Sequence, residues 1–107
     1  MKLQIAISVV IVLSITTTQA APTPIPEALQ CAFCQKFVAT VRQLDKFGTL
    51  TVDEIANEAC TYLNPDFPDF IDTCDTLALD DINVIVDFVR LGTTEQAVCR
   101  QAIGVCI

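Results

Sequence analysis

The chain has 107 residues, 52% of them hydrophobic and 18% charged, and carries a net charge of −7. Such a composition is too apolar for a disordered chain and suits one small domain, and its acidic balance does not suit a nucleic-acid partner. There is no His, and the only serines, Ser8 and Ser14, fall within the first 20 residues; without them no Ser–His or Cys–His nucleophile pair can be assembled, and no enzyme, catalytic residue, metal or cofactor is expected.

Residues 1–20 read as a secretory leader. Met1-Lys2 gives a positive start, Leu3 to Ile15 is almost continuously apolar, and Thr18-Gln19-Ala20 supplies the small residues of a cleavage site. The apolar run is shorter than the roughly 20 residues that span a bilayer, so a removed signal is expected rather than an anchor. Residues 21–28 form a Pro-rich lead-in, with Pro26 suited to the first position of a helix.

From there the chain reads as short helices. Leu29, Phe33, Phe37, Val41 and Leu44 recur at helical spacing as far as Lys46, and Phe47-Gly48 closes that helix. Thr51-Val52-Asp53-Glu54 is a capping box opening a second helix, whose apolar stripe is Val52, Ile55, Ala56, Ala59 and Leu63; Asn64-Pro65 stops it. A third helix begins between Pro65 and Pro68, with Phe67, Phe70, Ile71, Cys74 and Leu77 on one face. A fourth runs from Asp80 or Asp81 to Gly92, and a short fifth, capped by Thr93 or Thr94, ends near Gly104. No strand or hairpin signal is present. The predicted class is all-α.

Six cysteines, Cys31, Cys34, Cys60, Cys74, Cys99 and Cys106, follow the leader. In an oxidising compartment they read as three disulfides; a zinc knuckle would need a second ligand pair, and a redox Cys-x-x-Cys would need a strand-to-helix setting that the pattern lacks. Fifteen pairings are open, and spacing alone does not choose among them. Cys31 and Cys34 lie one turn apart on one helical face, so both suit ties to an antiparallel last helix, which would give 31–106, 34–99 and 60–74.

This arrangement resembles the saposin-like family: a Cys-x-x-Cys on the first helix, two central cysteines, and two near the C-terminus, with apolar helices between. The resemblance covers Cys31 to Cys106, within a domain taken as residues 29–107. It implies four to five short helices in two leaves and the nested pairing 31–106, 34–99 and 60–74. The first and last helices would form a stem, and the middle ones a hairpin able to swing away and expose apolar surface to lipid. Family functions include lipid presentation to hydrolases and pore formation by amoebapore-like and caenopore-like members, and a shared fold does not choose among them.

Charge is unevenly placed. Between Phe47 and Val89 there is no Lys or Arg, yet the stretch holds Asp53, Glu54, Glu58, Asp66, Asp69, Asp72, Asp75, Asp80, Asp81 and Asp87. Asp53, Glu54, Asp80 and Asp81 suit helix starts. The spacing by threes of Asp66, Asp69, Asp72 and Asp75 spreads them over a solvated face, and they lack the ligand order and central Gly of a calcium loop. Without His, carboxylates alone titrate in the mildly acidic range, which makes Glu58, Asp66, Asp69, Asp72, Asp75 and Asp87 the pH-switch candidates.

The membrane-contact candidates are the cations Lys36, Arg42 and Lys46 on the first helix and the apolar residues Ile82, Ile85, Val86, Phe88 and Val89 of the fourth, where apolar side chains spread over most of the circumference. The expected partners are membrane lipids, above all anionic phospholipids, with self-association on the membrane. One domain behind a leader, with no Asn-x-Ser/Thr acceptor, is closest in organisation to a secreted antimicrobial pore-former favoured at acidic pH, as in a gut lumen or a lysosome-like compartment. The alternative is a lipid-transfer or activator protein that presents lipid to a hydrolase.

Overall fold

A computed structural model describes residues 25–107; the leader and residues 21–24 of the lead-in lie outside the described residues. The fold is all-α, with five short helices and no strand among the described residues.

Helix α1 spans Glu27–Asp45. Pro26 sits just outside it rather than at its first position, and its carbonyl accepts from the Leu29 and Gln30 N–H groups. The helix ends at Gly48, whose φ of 70° is costly for any residue with a Cβ. Helix α2 spans Val52–Leu63 and starts on a reciprocal cap: the Thr51 hydroxyl accepts from the Glu54 N–H at 3.2 Å, and the Glu54 carboxylate accepts from the Thr51 N–H at 2.8 Å.

The chain then turns through a 3₁₀ segment, Pro68–Phe70, into helix α3, Ile71–Thr76. The expected break before the fourth helix is absent. No Gly or Pro occurs between Ile71 and Arg90, and the winding continues through a π-helical segment, Leu77–Asp81, into helix α4, Ile82–Arg90. Asp80 and Asp81 therefore lie within a continuous helical run, not at a free helix start. Helix α5, Glu95–Val98, is capped by the Thr94 hydroxyl, which accepts from the Ala97 N–H at 3.3 Å. It continues as a second π-helical segment, Cys99–Ile103, and stops at Gly104.

Helix α1 packs against α2, α4 and α5, and all elements share one core. Phe33 is its aromatic centre, stacked on Phe70 at 4.6 Å between ring centroids and edge-on to Phe67 at 5.3 Å. Two residues expected on buried stripes lie outside them. Leu29 is 52% exposed: spacing by four residues drifts about 40° per step, which carries it roughly 110° from the centre of the Phe33–Phe37–Val38–Val41 face. Ile71, 43% exposed, stands about 100° round the helix from Phe70, while Phe70, Cys74 and Leu77 face inward.

Candidate lipid-contact surfaces

The three disulfides join Cys31 to Cys106, Cys34 to Cys99 and Cys60 to Cys74. Two of them nest, tying α1 to α5 and the tail after it, and the third closes α2 onto α3. At the same end of α1 the Glu27 carboxylate accepts from the Cys106 N–H at 2.8 Å, holding the last turn of chain to the first turn of the helix.

The other end of α1 is held by charge. Arg90 forks onto the Asp45 carboxylate, its closest contact being 2.8 Å, and so joins the end of α4 to the end of α1. The hydrogen bond from Arg90 holds the Asp45 carboxyl below its ordinary value of 3.8; burial opposes it, and the Arg90 charge adds a lesser lowering. One turn back, Arg42 donates to the Val89 carbonyl at 3.4 Å, to the Thr93 carbonyl and to the Glu95 carboxylate at 3.3 Å. Its guanidinium thus satisfies a carbonyl in the last turn of α4, where the macrodipole is negative.

The Asp45–Arg90 pair carries a pH signature. A carboxylate whose folded pKa is depressed stabilises the fold above its unfolded pKa, and that contribution is lost as pH falls through the folded value. Asp45→Asn is therefore expected to lower the urea midpoint at about pH 7 and to lower it less at about pH 3, below the ordinary carboxylate value, where part of the pair's contribution is already lost. Arg90 is exposed and Asp45 only partly covered, so solvent screens the pair and the effect is small. An equal loss at both pH values would mean that the side chain's packing matters and its charge does not.

The hairpin is attached differently. Among the described residues no hydrogen bond or ion pair joins residues 50–81 to α1 or α5, and to α4 they are joined through the backbone of the continuous helical run. Apart from chain continuity, α2 and α3 are held to the stem by apolar packing alone, through Ile55, Ala59, Leu63, Phe70 and Leu77.

The membrane-contact candidates divide accordingly. Lys36 and Lys46 are exposed. Arg42 is not a free head-group ligand, because its guanidinium is engaged with α4 and α5. Ile82, Ile85, Val86 and Val89 are buried in the core and Phe88 is half-buried; in this closed conformation they face protein, not lipid. The all-round apolar appearance of the segment comes from adding Val84, which points outward, and Leu91, which lies beyond the end of α4, to a single buried stripe.

Glu58, Asp66, Asp69, Asp72, Asp75 and Asp87 are all exposed, and none forms an ion pair. They are spread over the outer faces of α2, α3 and α4 and the turn between α2 and α3, and they do not converge on one site. Glu58 shares with Lys36 and Tyr62 a groove of about 380 Å³ between α1 and α2. A smaller apolar cavity, about 230 Å³, lies where the leaves meet, with Phe33, Ile103 and Val105 on the stem side and Phe70 and Leu77 on the hairpin side.

Four large side chains, Phe47, Tyr62, Leu79 and Leu91, stand exposed, and only Leu91 belongs to the apolar set expected to meet lipid. For Phe47 and Leu91 a signal was available, since each directly precedes a glycine that ends a helix. Among the described residues no helix is long and apolar enough to cross a membrane. Compared with protein-family models, curated proteins and solved structures, the chain finds no match.

Proposed function

We propose that this chain is a secreted, saposin-like, membrane-lipid-interacting protein, acting as an antimicrobial effector that permeabilises anionic membranes under acidic conditions. The observation that carries the reading is the unequal attachment of its two leaves. The stem is fastened by two disulfides, two ion pairs and the hydrogen bonds of Arg42, whereas the hairpin rests on apolar contact.

Swinging the hairpin away from α1 breaks no side-chain hydrogen bond or ion pair, bends the chain at the π-helical segment before α4, and uncovers Phe33, Phe37, Val38 and Val41 on one side and Ile55, Ala59 and Leu63 on the other. In water that exposure is strongly unfavourable, and against hydrocarbon it is not. A lipid surface is therefore the solvent in which the opened form becomes stable. The exposed carboxylates of the hairpin leaf, with no Lys or Arg from Phe47 to Val89, repel anionic head groups at neutral pH, and protonation weakens that repulsion.

A second reading, a lipid carrier that presents its cargo to a hydrolase, is favoured by the apolar cavity at the meeting of the leaves. Dye leakage from anionic vesicles and lipid transfer between vesicle populations, followed in parallel from about pH 4 to about pH 7, separate the two. The effector reading expects leakage that grows as pH falls, with little transfer. Transfer without leakage establishes the carrier, and neither activity at any pH removes both.

A further inference from the structure

The Asp45–Arg90 ion pair does more than join two helices. It brings together two turns of similar design, one ending α1 and the other ending α4. In each, a large apolar residue stands just before a glycine in the left-handed region: Phe47 before Gly48, with φ 70°, and Leu91 before Gly92, with φ 81°. Phe47 is 69% exposed and Leu91 80%. Both glycines stand in open space, where an added Cβ would meet no atom within 4 Å, so the turns project from the surface.

The amide donors of these turns are already paired. The N–H groups of Lys46, Phe47 and Gly48 donate to the carbonyls of Arg42, Leu44 and Asp45, and those of Leu91, Gly92 and Thr93 donate to Asp87, Val89 and Phe88. The carbonyls of Val89 and Thr93 in turn accept from Arg42. A turn with its donors satisfied internally enters an apolar phase without the cost of stripping water from bare amides. We infer that this pole is where the closed molecule first enters a lipid bilayer, with Phe47 and Leu91 as the inserting side chains and Arg42, Asp45 and Arg90 as the rigid support that holds them abreast.

A bilayer fits better than a protein partner because of area. The two side chains together expose about 300 Å², well below the roughly 800 Å² per partner of a stable protein interface. It is enough to dip into the head-group region of a membrane. The charges at this pole, Arg42, Lys46 and Arg90 against Asp45, Asp53, Glu54, Asp87 and Glu95, three cations against five anions, leave it mildly acidic; apolar burial drives the insertion, and Lys46 extends its amine to the head groups beside Phe47. The inference rests on the lipid-binding reading above and adds the point of entry and its orientation.

The absence of Trp from the chain gives a direct test. Phe47→Trp, Leu91→Trp and Leu79→Trp each create a single tryptophan, excited apart from Tyr62, at an exposed site; Leu79, 83% exposed on the π-helical segment between α3 and α4, is the control. Each is mixed with vesicles of equal parts phosphatidylcholine and phosphatidylglycerol near pH 5, with and without brominated acyl chains. Emission at 47 and 91 is expected to shift to the blue and to be quenched by bromine, while emission at 79 stays unquenched. The double variant Phe47→Ala/Leu91→Ala, changed only at exposed positions, is expected to lower vesicle partition at least about tenfold.

Quenching at 79 as strong as at 47 and 91, or partition of the double variant equal to wild type, overturns this point of entry and leaves lipid binding standing. Failure of the wild-type protein to bind vesicles at all overturns the lipid-binding reading and this inference with it.

Discussion

Replacing all four stem cysteines, Cys31, Cys34, Cys99 and Cys106, by alanine is expected to cost about 7 kcal/mol, more than the two disulfides cost when removed one at a time. The reason is the nesting. The outer pair closes a span of 75 residues and the inner one a span of 65, a difference of only 10. In an unfolded chain that keeps one of them, the other closes a loop of about 10 residues, worth about 2.7 kcal/mol in chain entropy. Losing both releases the long loop as well, worth about 4.3 kcal/mol.

Against a typical stability of about 5–15 kcal/mol, each single removal leaves a folded protein with a lowered urea midpoint, and the quadruple variant is unfolded or close to it. Urea titrations of Cys31→Ala/Cys106→Ala, Cys34→Ala/Cys99→Ala and the quadruple variant make the comparison. Strict additivity would show that residual structure already keeps the two chain ends together in the unfolded state.

Phe33→Ala has the second-largest expected effect, a loss of about 3–5 kcal/mol. The ring belongs to α1, but its closest aromatic partners, Phe67 and Phe70, stand at the entry to α3. With no hydrogen bond or ion pair between the hairpin and α1, this aromatic contact is a large share of what closes them. The loss should therefore appear unevenly. Amide exchange in α2 and α3 is expected to accelerate under native conditions far more than in the disulfide-clamped part of α1, because the hairpin opens while the stem stays shut. Uniform acceleration across all helices would show instead that the leaves unfold as one unit, which would weaken the case for a detachable hairpin.

The sequence revealed most where the cause of structure is local. The Thr51–Glu54 cap, Gly48 and Gly104 mark helix ends through bonds or backbone angles involving neighbouring residues, and α1, α2 and the last helical segment end close to where they were expected. What stayed hidden depends on partners far along the chain. Arg42 looked like a free cation on a helix face because the carbonyls of Val89 and Thr93 and the carboxylate of Glu95 lie about fifty positions away. The apolar residues of α4 could not be divided into buried and exposed before it was known that α1 lies along one side of them. Leu29 misled because a spacing of four is close to the helical repeat without equalling it, an error that accumulates toward the end of a long stripe.

The π-helical segment between α3 and α4 has a consequence for how this chain could vary. The residues that face the core on either side of it, Leu77 and Ile82, are five positions apart, one more than a regular turn would place on the same side. The wider turn absorbs that surplus residue and throws Leu79 outward, so the facing of α3 and α4 is preserved through it. A variant lacking one residue between Leu77 and Ile82 would close the gap with an ordinary turn and keep every core position downstream.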